Sequence, residues 1–394
     1  MREETIMKYD FDQVIDRHHS DSYKWNYDSD ILPMWTADMD FKVATEITDA
    51  LVLKAGFGLY GYSIVPDSWY EAYIGFWKRH YHFTIVKDWL LFSSGVVPTI
   101  SSVVRKLTTP AEKVLLLTPV YNIFYNSILN NGRVPLEEEL VFNGSSYSID
   151  FLSVEDKMSD PQCSLMILCN PENPVGKIFT AEELQRIGEL AKKHHVIVLS
   201  DEIHGPITMP GKDYIPFASV SEVNAMNSVT AISPTKAFNL AGLQTSAVVV
   251  PDPTLRHRVN RQLNTDEVAE PNYFAVTGAV AAFTKGDAWL EEMRAYVAEN
   301  RKIASVYFAE HIPELHLIPG EATYLLWIDV KSLTLDGDDF ADFLLRDAKL
   351  LVCKGSSYGK GGKHFFRLNI ACPRATLLDG LKRIQKAVRD YSSR

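Results

Sequence analysis

Ser228-Val-Thr-Ala-Ile-Ser-Pro-Thr-Lys-Ala-Phe-Asn, residues 228–239, sets a short apolar run against a proline turn and then a lysine. Such a run, uncharged and bounded by turn signals, reads as a strand buried on both faces. Four others resemble it: Lys113-Val-Leu-Leu-Leu-Thr, Ser164-Leu-Met-Ile-Leu-Cys, Val196-Ile-Val-Leu-Ser and Thr245-Ser-Ala-Val-Val-Val. Longer amphipathic stretches lie between them, so the middle of the chain is α/β, with helices flanking a mainly parallel central sheet. Thr180-Ala-Glu-Glu-Leu opens one of those helices with a capping-box pattern, a threonine followed three residues later by glutamate.

After about residue 285 the pattern changes. A long helical stretch over 288–310 leads to the strand Thr323-Tyr-Leu-Leu-Trp-Ile-Asp-Val, a helix over 338–347 and the strand Phe365-Phe-Arg-Leu-Asn-Ile, and a last helix begins at Ala375. Mixed short elements of this kind imply a smaller α+β domain. The expected division is a large domain over 46–285 and a small one made of 1–45 and 286–394. At 394 residues the chain suits two such domains.

Composition excludes several classes of partner. A formal charge of −10 argues against nucleic acid and anionic membrane surfaces, which reward basic patches. No uncharged apolar run approaches the roughly 18 residues of a spanning helix. The start, MREETIMKYDFDQVIDRHHSD, is polar and acidic, unlike a secretory leader. Cys163, Cys169, Cys353 and Cys372 lack metal-ligand spacing, and the 11 histidines form no HxxxH pair. No metal is expected, the thiols are expected reduced, and the expected setting is cytoplasmic.

In open parallel sheets ligands sit beyond the carboxyl ends of the strands. Three chemically able residues emerge there: Asn173 after the run ending at Asn170, Asp201 after Ser200, and Lys236 after Ser233. An amine that can close on an aldehyde, an acid that can pair with a ring nitrogen, and an amide that can donate to a phenolic oxygen together suit one ligand, pyridoxal 5′-phosphate. Each residue also has a plainer reading: Asp201 as a cap of the next turn, Asn173 as a turn residue before proline. Glu202 is the competing acid and is expected to pair outside the site; the role of His204 stays open.

Tyr121, in Thr-Pro-Val-Tyr-Asn-Ile-Phe-Tyr, can lay its ring on a pyridine face or simply fill the core. For the phosphate, Ser94-Gly-Val-Val-Pro-Thr precedes an amphipathic stretch, with Pro98 suited to a first helical turn. The backbone N–H groups of Gly95, Val96 and Val97 at that helix start can face an anion, and the hydroxyl of Ser233 can join them. Arg367 stands inside an apolar strand, where a guanidinium needs an anionic partner. A substrate α-carboxylate is preferred over a structural ion pair, and Arg374 is the weaker candidate.

Together these stretches resemble the fold-type-I pyridoxal-phosphate enzymes, the aspartate aminotransferase-like superfamily. More narrowly the chain is similar to the MalY/PatB family of cystathionine β-lyases, or C–S lyases. That resemblance rests on Leu32-Pro-Met-Trp-Thr-Ala-Asp-Met-Asp-Phe, Tyr60-Gly-Tyr-Ser, Ser200-Asp-Glu-Ile-His, Lys236-Ala-Phe-Asn-Leu-Ala-Gly-Leu and Arg367-Leu-Asn-Ile-Ala-Cys-Pro-Arg, and so spans residues 32–374. It implies Lys236 as the Schiff-base lysine, Asp201 as the pyridinium partner, Asn173 on the phenolic oxygen, Tyr121 stacked on the ring and Arg367 on the substrate carboxylate. It also implies a homodimer in which Tyr62 reaches the neighbouring subunit's phosphate, with Trp35 and Ala37 lining the substrate side. One departure is Gln244, eight residues after the lysine, where many aminotransferases carry a phosphate-binding arginine.

The activity so implied is α,β-elimination from a sulfur-containing L-amino acid: L-cystathionine to homocysteine, pyruvate and ammonia, or the equivalent from cysteine and S-alkylcysteines. An aminotransferase using the same groups is the nearest rival, because one fold hosts both chemistries. A regulatory protein that keeps the scaffold without turnover is a further alternative.

Overall fold

The computed structural model describes residues 8–393. Residues 1–7 and 394, the ends of the expected small-domain segments and the start of the polar N-terminus, lie outside the described residues.

The apolar runs form one seven-stranded sheet. Its order is Leu90–Ser93, Ser246–Val249, Ser228–Ile232, Ile197–Asp201, Cys163–Cys169, Lys113–Thr118 and Val134–Glu139. The last five run parallel. Successive side chains point to opposite faces, and the core divides accordingly. Leu115, Leu117, Met166, Leu168 and Val198 pack on one side with Leu184 and Ile187 of the helix Ala181–Lys193. Leu116, Ile167, Leu199 and Val229 pack on the other with Ile100 and Val104 of the helix Val96–Leu107.

The run at 245–250 departs from the parallel expectation. Its strand, Ser246–Val249, is antiparallel to both neighbours. All four of its residues are buried, as in the parallel strands beside it, and hydrophobicity reports burial without reporting direction. Two strands went unread in the sequence. Val134–Glu139 is a half-exposed edge strand with Pro135 and three glutamates, residues an edge tolerates and a central strand does not. Leu90–Ser93 is the other edge.

A second, antiparallel sheet has the order His316–Ile318, Leu325–Asp329, Phe365–Asn369, Cys353–Lys354. Helices Asp287–His311, Gly337–Ala348 and Arg374–Ser392 surround it. The N-terminal segment enters here: Leu32–Pro33 pairs in parallel with Leu350–Leu351, and Met34 presses on Gly380. A Cβ at Gly380 would lie 2.4 Å from the Met34 sulfur, so glycine permits that approach. One continuous core then joins Phe11, Met39 and Phe41 to Trp289, Met293 and Tyr296.

The Thr180 capping box forms in full: the threonine hydroxyl accepts from Glu183 N–H at 3.2 Å, and the Glu183 carboxylate accepts from Thr180 N–H at 2.9 Å. Thr180→Ala is expected to lower the unfolding free energy by about 1 kcal/mol, measured as a shift in the urea midpoint at unchanged slope.

Candidate active site

The carboxyl ends of the parallel strands open on a cavity of about 330 Å³, lined by residues of both sheets and of the N-terminal segment. Most of the candidates meet here: Gly95, Val96, Val97, Tyr121, Asn173, Asp201, Lys236, Arg367 and Ala37 line it, as do His204 and Gln244. The helix Val96–Leu107 begins at the cavity with Gly95 before its first turn, Pro98 within that turn, and no side chain capping its end. Its first N–H groups have no partner within the helix, and the helix dipole is positive there.

Arg367 is the residue around which the cavity is organised. It is 3% exposed and has no carboxylate partner among the described residues. Nη1 donates to Asn173 Oδ1 at 3.0 Å, Nη2 donates to Trp35 O at 2.8 Å and to Cys353 Sγ at 3.4 Å, and the guanidinium lies 5.0 Å from the centre of the Tyr358 ring. Its Nε has no partner. Because arginine only donates, its bond turns the Asn173 oxygen toward it. The amide nitrogen of Asn173 makes no other bond among the described residues and remains as a donor to a ligand.

Lys236 Nζ donates to Ala37 O at 2.5 Å. Burial, opposed by Asp38 and Asp201 and reinforced by Arg367, brings the amine down to about 8. Asp201 ends its strand with Oδ1 accepting from Ile203 N–H at 3.1 Å. Burial pushes its carboxyl up to about 7, against the pull of that bond and of Lys236. Burial, with Lys236 and Arg367 nearby, holds His204 down at about 3, so its ring is neutral at physiological pH, and its Nδ1 is unpartnered.

Glu202 points elsewhere, as expected. Its oxygens accept from Tyr214 at 2.5 Å, Phe217 N–H at 2.7 Å and Ser200 at 2.8 Å, which occupies it structurally.

Four candidates do not line the cavity, among them Arg374, whose guanidinium lies over the Tyr296 ring. Ser233 shapes the turn: its hydroxyl donates to Thr245 O at 2.7 Å and accepts from Thr235 N–H at 3.1 Å. Thr235, two residues on, lines the cavity in its place. Trp35 reaches the site only through its carbonyl, while its indole packs with Tyr23 and Tyr27. Tyr62 is fully exposed and borders a separate groove with Lys54 and Tyr273. Thr36, Thr235 and Thr245 were missed in the sequence. The chain leaves the strand after Ile232, so turn geometry, and no periodicity, selects which hydroxyl faces inward.

The donor set fits pyridoxal phosphate. An uncapped helix start suits its phosphate, a carboxylate with its second oxygen free suits its ring nitrogen, and a depressed amine suits its aldehyde. Fold and site therefore define a fold-type-I pyridoxal-phosphate enzyme. The chain belongs to the aminotransferase class I and II family, whose model matches residues 33–384, and within it to the MalY/PatB group. It is 37% identical to the cystathionine beta-lyase PatB of Bacillus subtilis, over 96% of this chain and 99% of that protein. Protein MalY of Escherichia coli is 30% identical, over 97% and 99%. The structure of cystalysin from Treponema denticola, which contains a pyridoxal 5′-phosphate cofactor, superimposes with a TM-score of 0.94 at 29% identity, covering 98% of this chain and all of that one.

Burial of the Lys236 amine has a direct consequence in cofactor-free protein. An amine-selective acylating reagent is expected to label Lys236 with a rate that rises to half its maximum near pH 8, more than two units below an ordinary lysine at 10.5. Peptide mapping of the labelled lysine against pH checks this.

Proposed function

We propose that the protein is a pyridoxal-phosphate-dependent carbon–sulfur lyase that removes the thiol from the β carbon of a sulfur-containing L-amino acid. The observation that carries the amino-acid part is Arg367, a buried cation without an acidic partner among the described residues, in one cavity with the Lys236 amine. A buried charge of this kind calls for an anion, and the α-carboxylate supplies one in bidentate geometry. Elimination is supported by the likeness to PatB, which is named a cystathionine beta-lyase.

When bound, pyridoxal phosphate offers an aldehyde to the amine and a ring that takes up the electron pair left on the substrate's α carbon. The helix start at residues 95–97 and the Thr235 hydroxyl hold the phosphate. Gln244 lies at the cavity in a left-handed conformation and brings no positive charge there. Asp201 pairs with the ring nitrogen, Asn173 Nδ2 donates to the phenolic oxygen, and Tyr121 covers a ring face. Lys236, neutral above about pH 8, takes the α proton as general base, while Arg367 holds the carboxylate and Ala37 borders the substrate. With L-cystathionine and water the products are homocysteine, pyruvate and ammonia.

The active unit in this reading is a cytoplasmic homodimer, each protomer built of a cofactor-binding domain over 46–285 and a small domain from 1–45 and 286–394. Support for the dimer is the stretch 53–64, in which Leu53, Phe57, Leu59, Tyr62 and Ile64 are each at least two-thirds exposed. Isolated apolar residues are ordinary on surfaces; such a concentration within one short stretch is not. Tyr62 would project from that stretch toward the partner's phosphate. Sedimentation is expected to give twice the monomer mass, and a fully active monomer would remove the role assigned to Tyr62.

An aminotransferase would use the same groups, moving the α proton to the cofactor with no β substituent lost. Pyruvate release from L-cystathionine in the absence of any keto-acid acceptor separates the two. Steady release is expected, and pyruvate that appears only after a keto acid is added would overturn the lyase reading. Lys236→Ala is expected to lose both the visible absorbance of the bound cofactor and sustained turnover.

A further inference from the structure

Residues 35–41 pass between the loop that carries Lys236 and the strand that carries Arg367, and side chains from both take up the carbonyls of this strap. Lys236 Nζ donates to Ala37 O and Arg367 Nη2 to Trp35 O. Each of these two residues is followed closely by an asparagine that grips the same strap. Asn369, two residues after Arg367, donates from Nδ2 to Thr36 O at 2.7 Å and to Asp38 O at 2.8 Å. Asn239, three residues after Lys236, accepts from Met39 N–H at 3.2 Å and donates to Met39 O at 3.1 Å and Phe41 O at 2.9 Å.

Both amides are used at both ends, which fixes their orientation. The Asn369 oxygen accepts from Ala371 N–H at 2.8 Å. Asn239 holds a left-handed backbone, with φ of 56°, a conformation asparagine tolerates better than most residues. From the outer side, Arg17 bonds to the carboxylates of Asp38 at 2.9 Å and Asp40 at 2.8 Å, and the buried Lys24 bonds to Asp40 at 2.7 Å. The carbonyls of residues 35–39 and 41 are thus all taken up by side chains. Neither asparagine lines the cavity, so an influence on a ligand passes either along the element that carries the asparagine or through the strap.

We propose that Asn239 and Asn369 are positioning residues that, through the strap, set the Lys236 amine and the Arg367 guanidinium as a pair. The proposal rests on the roles given to Lys236 and Arg367 above. The α carbon and the carboxylate of the substrate are one bond apart, so base and guanidinium must hold a fixed separation, and small misplacements are costly. The strap supplies that separation: a shift at either anchor is carried to the group at the other.

The test is a crossed one on holoenzyme. Asn239→Gly keeps the left-handed backbone without strain, and Asn369→Ser keeps a short acceptor for the N–H two residues on; both lose the bonds to the strap. One readout is the pH midpoint of the bound cofactor's visible absorbance, which reports Lys236. The other is the affinity of 3-mercaptopropionate, which has a carboxylate but no amine and so reports Arg367. Asn239→Gly, on the lysine loop, is expected to weaken 3-mercaptopropionate binding by about five-fold, the order of one lost hydrogen bond. Asn369→Ser, on the arginine strand, is expected to move the absorbance midpoint by roughly half a pH unit. If each variant disturbs only the group on its own element, the strap does not couple them and the proposal is overturned. A wild-type holoenzyme without the visible band would instead sink the reading of Lys236.

Discussion

A guanidinium held out of water with only neutral acceptors around it is the constraint on which this site depends. Removing such a charge from solvent costs several kcal/mol even after the protein relaxes. Arg367 recovers part of that from an amide oxygen, a carbonyl, a thiol and the face of Tyr358. None of these carries a full negative charge. An acidic partner would be more stabilising to the free protein, and it would also compete with any ligand carboxylate. The absence of an acid at that position keeps the attraction available for substrate, and it fixes Asn173 and Trp35 by using their oxygens.

The neighbouring acids show how environment separates residues of one type. Asp201 and Glu202 are adjacent, both buried, and burial raises both to about 7. Glu202 has four donors around it, Asn170, Ser200, Tyr214 and the Phe217 N–H, and serves to tie the loop beyond the strand to the strand itself. Asp201 has one, and its second oxygen stays free at the cavity. The difference follows from position: Asp201 ends the strand at the cavity, while Glu202 lies just past it, among the donors of the following loop. Burial keeps His204 neutral, and the neighbouring Lys236 and Arg367 add to the effect, since three cations in one closed space would repel.

The N-terminal segment converts two sheets into one site. The strand Leu32–Pro33 attaches it to Leu350–Leu351, and the network of Arg17, Lys24, Asp38 and Asp40 secures the stretch that follows. Its backbone then closes over Lys236 and Arg367, groups that lie 131 positions apart in the chain. Without that closure the amine and the guanidinium would belong to separate layers with no common reference.

What the residues alone determined is local. The buried strands at 113–118, 163–169, 197–201 and 228–232, the capping box at Thr180, and the emergence of Asn173, Asp201 and Lys236 at one edge follow from hydrophobic period and turn chemistry, which act over a few neighbours. The tertiary structure decided what depends on distant partners. It set the antiparallel direction of Ser246–Val249, chose Thr235 over Ser233 for the cavity, placed Tyr62 on an outer groove, and left Arg367 without an acid among the described residues. An apolar pattern states that a residue is buried; it does not state which way its strand runs or what it meets, because those are fixed only when segments far apart in the chain pack together.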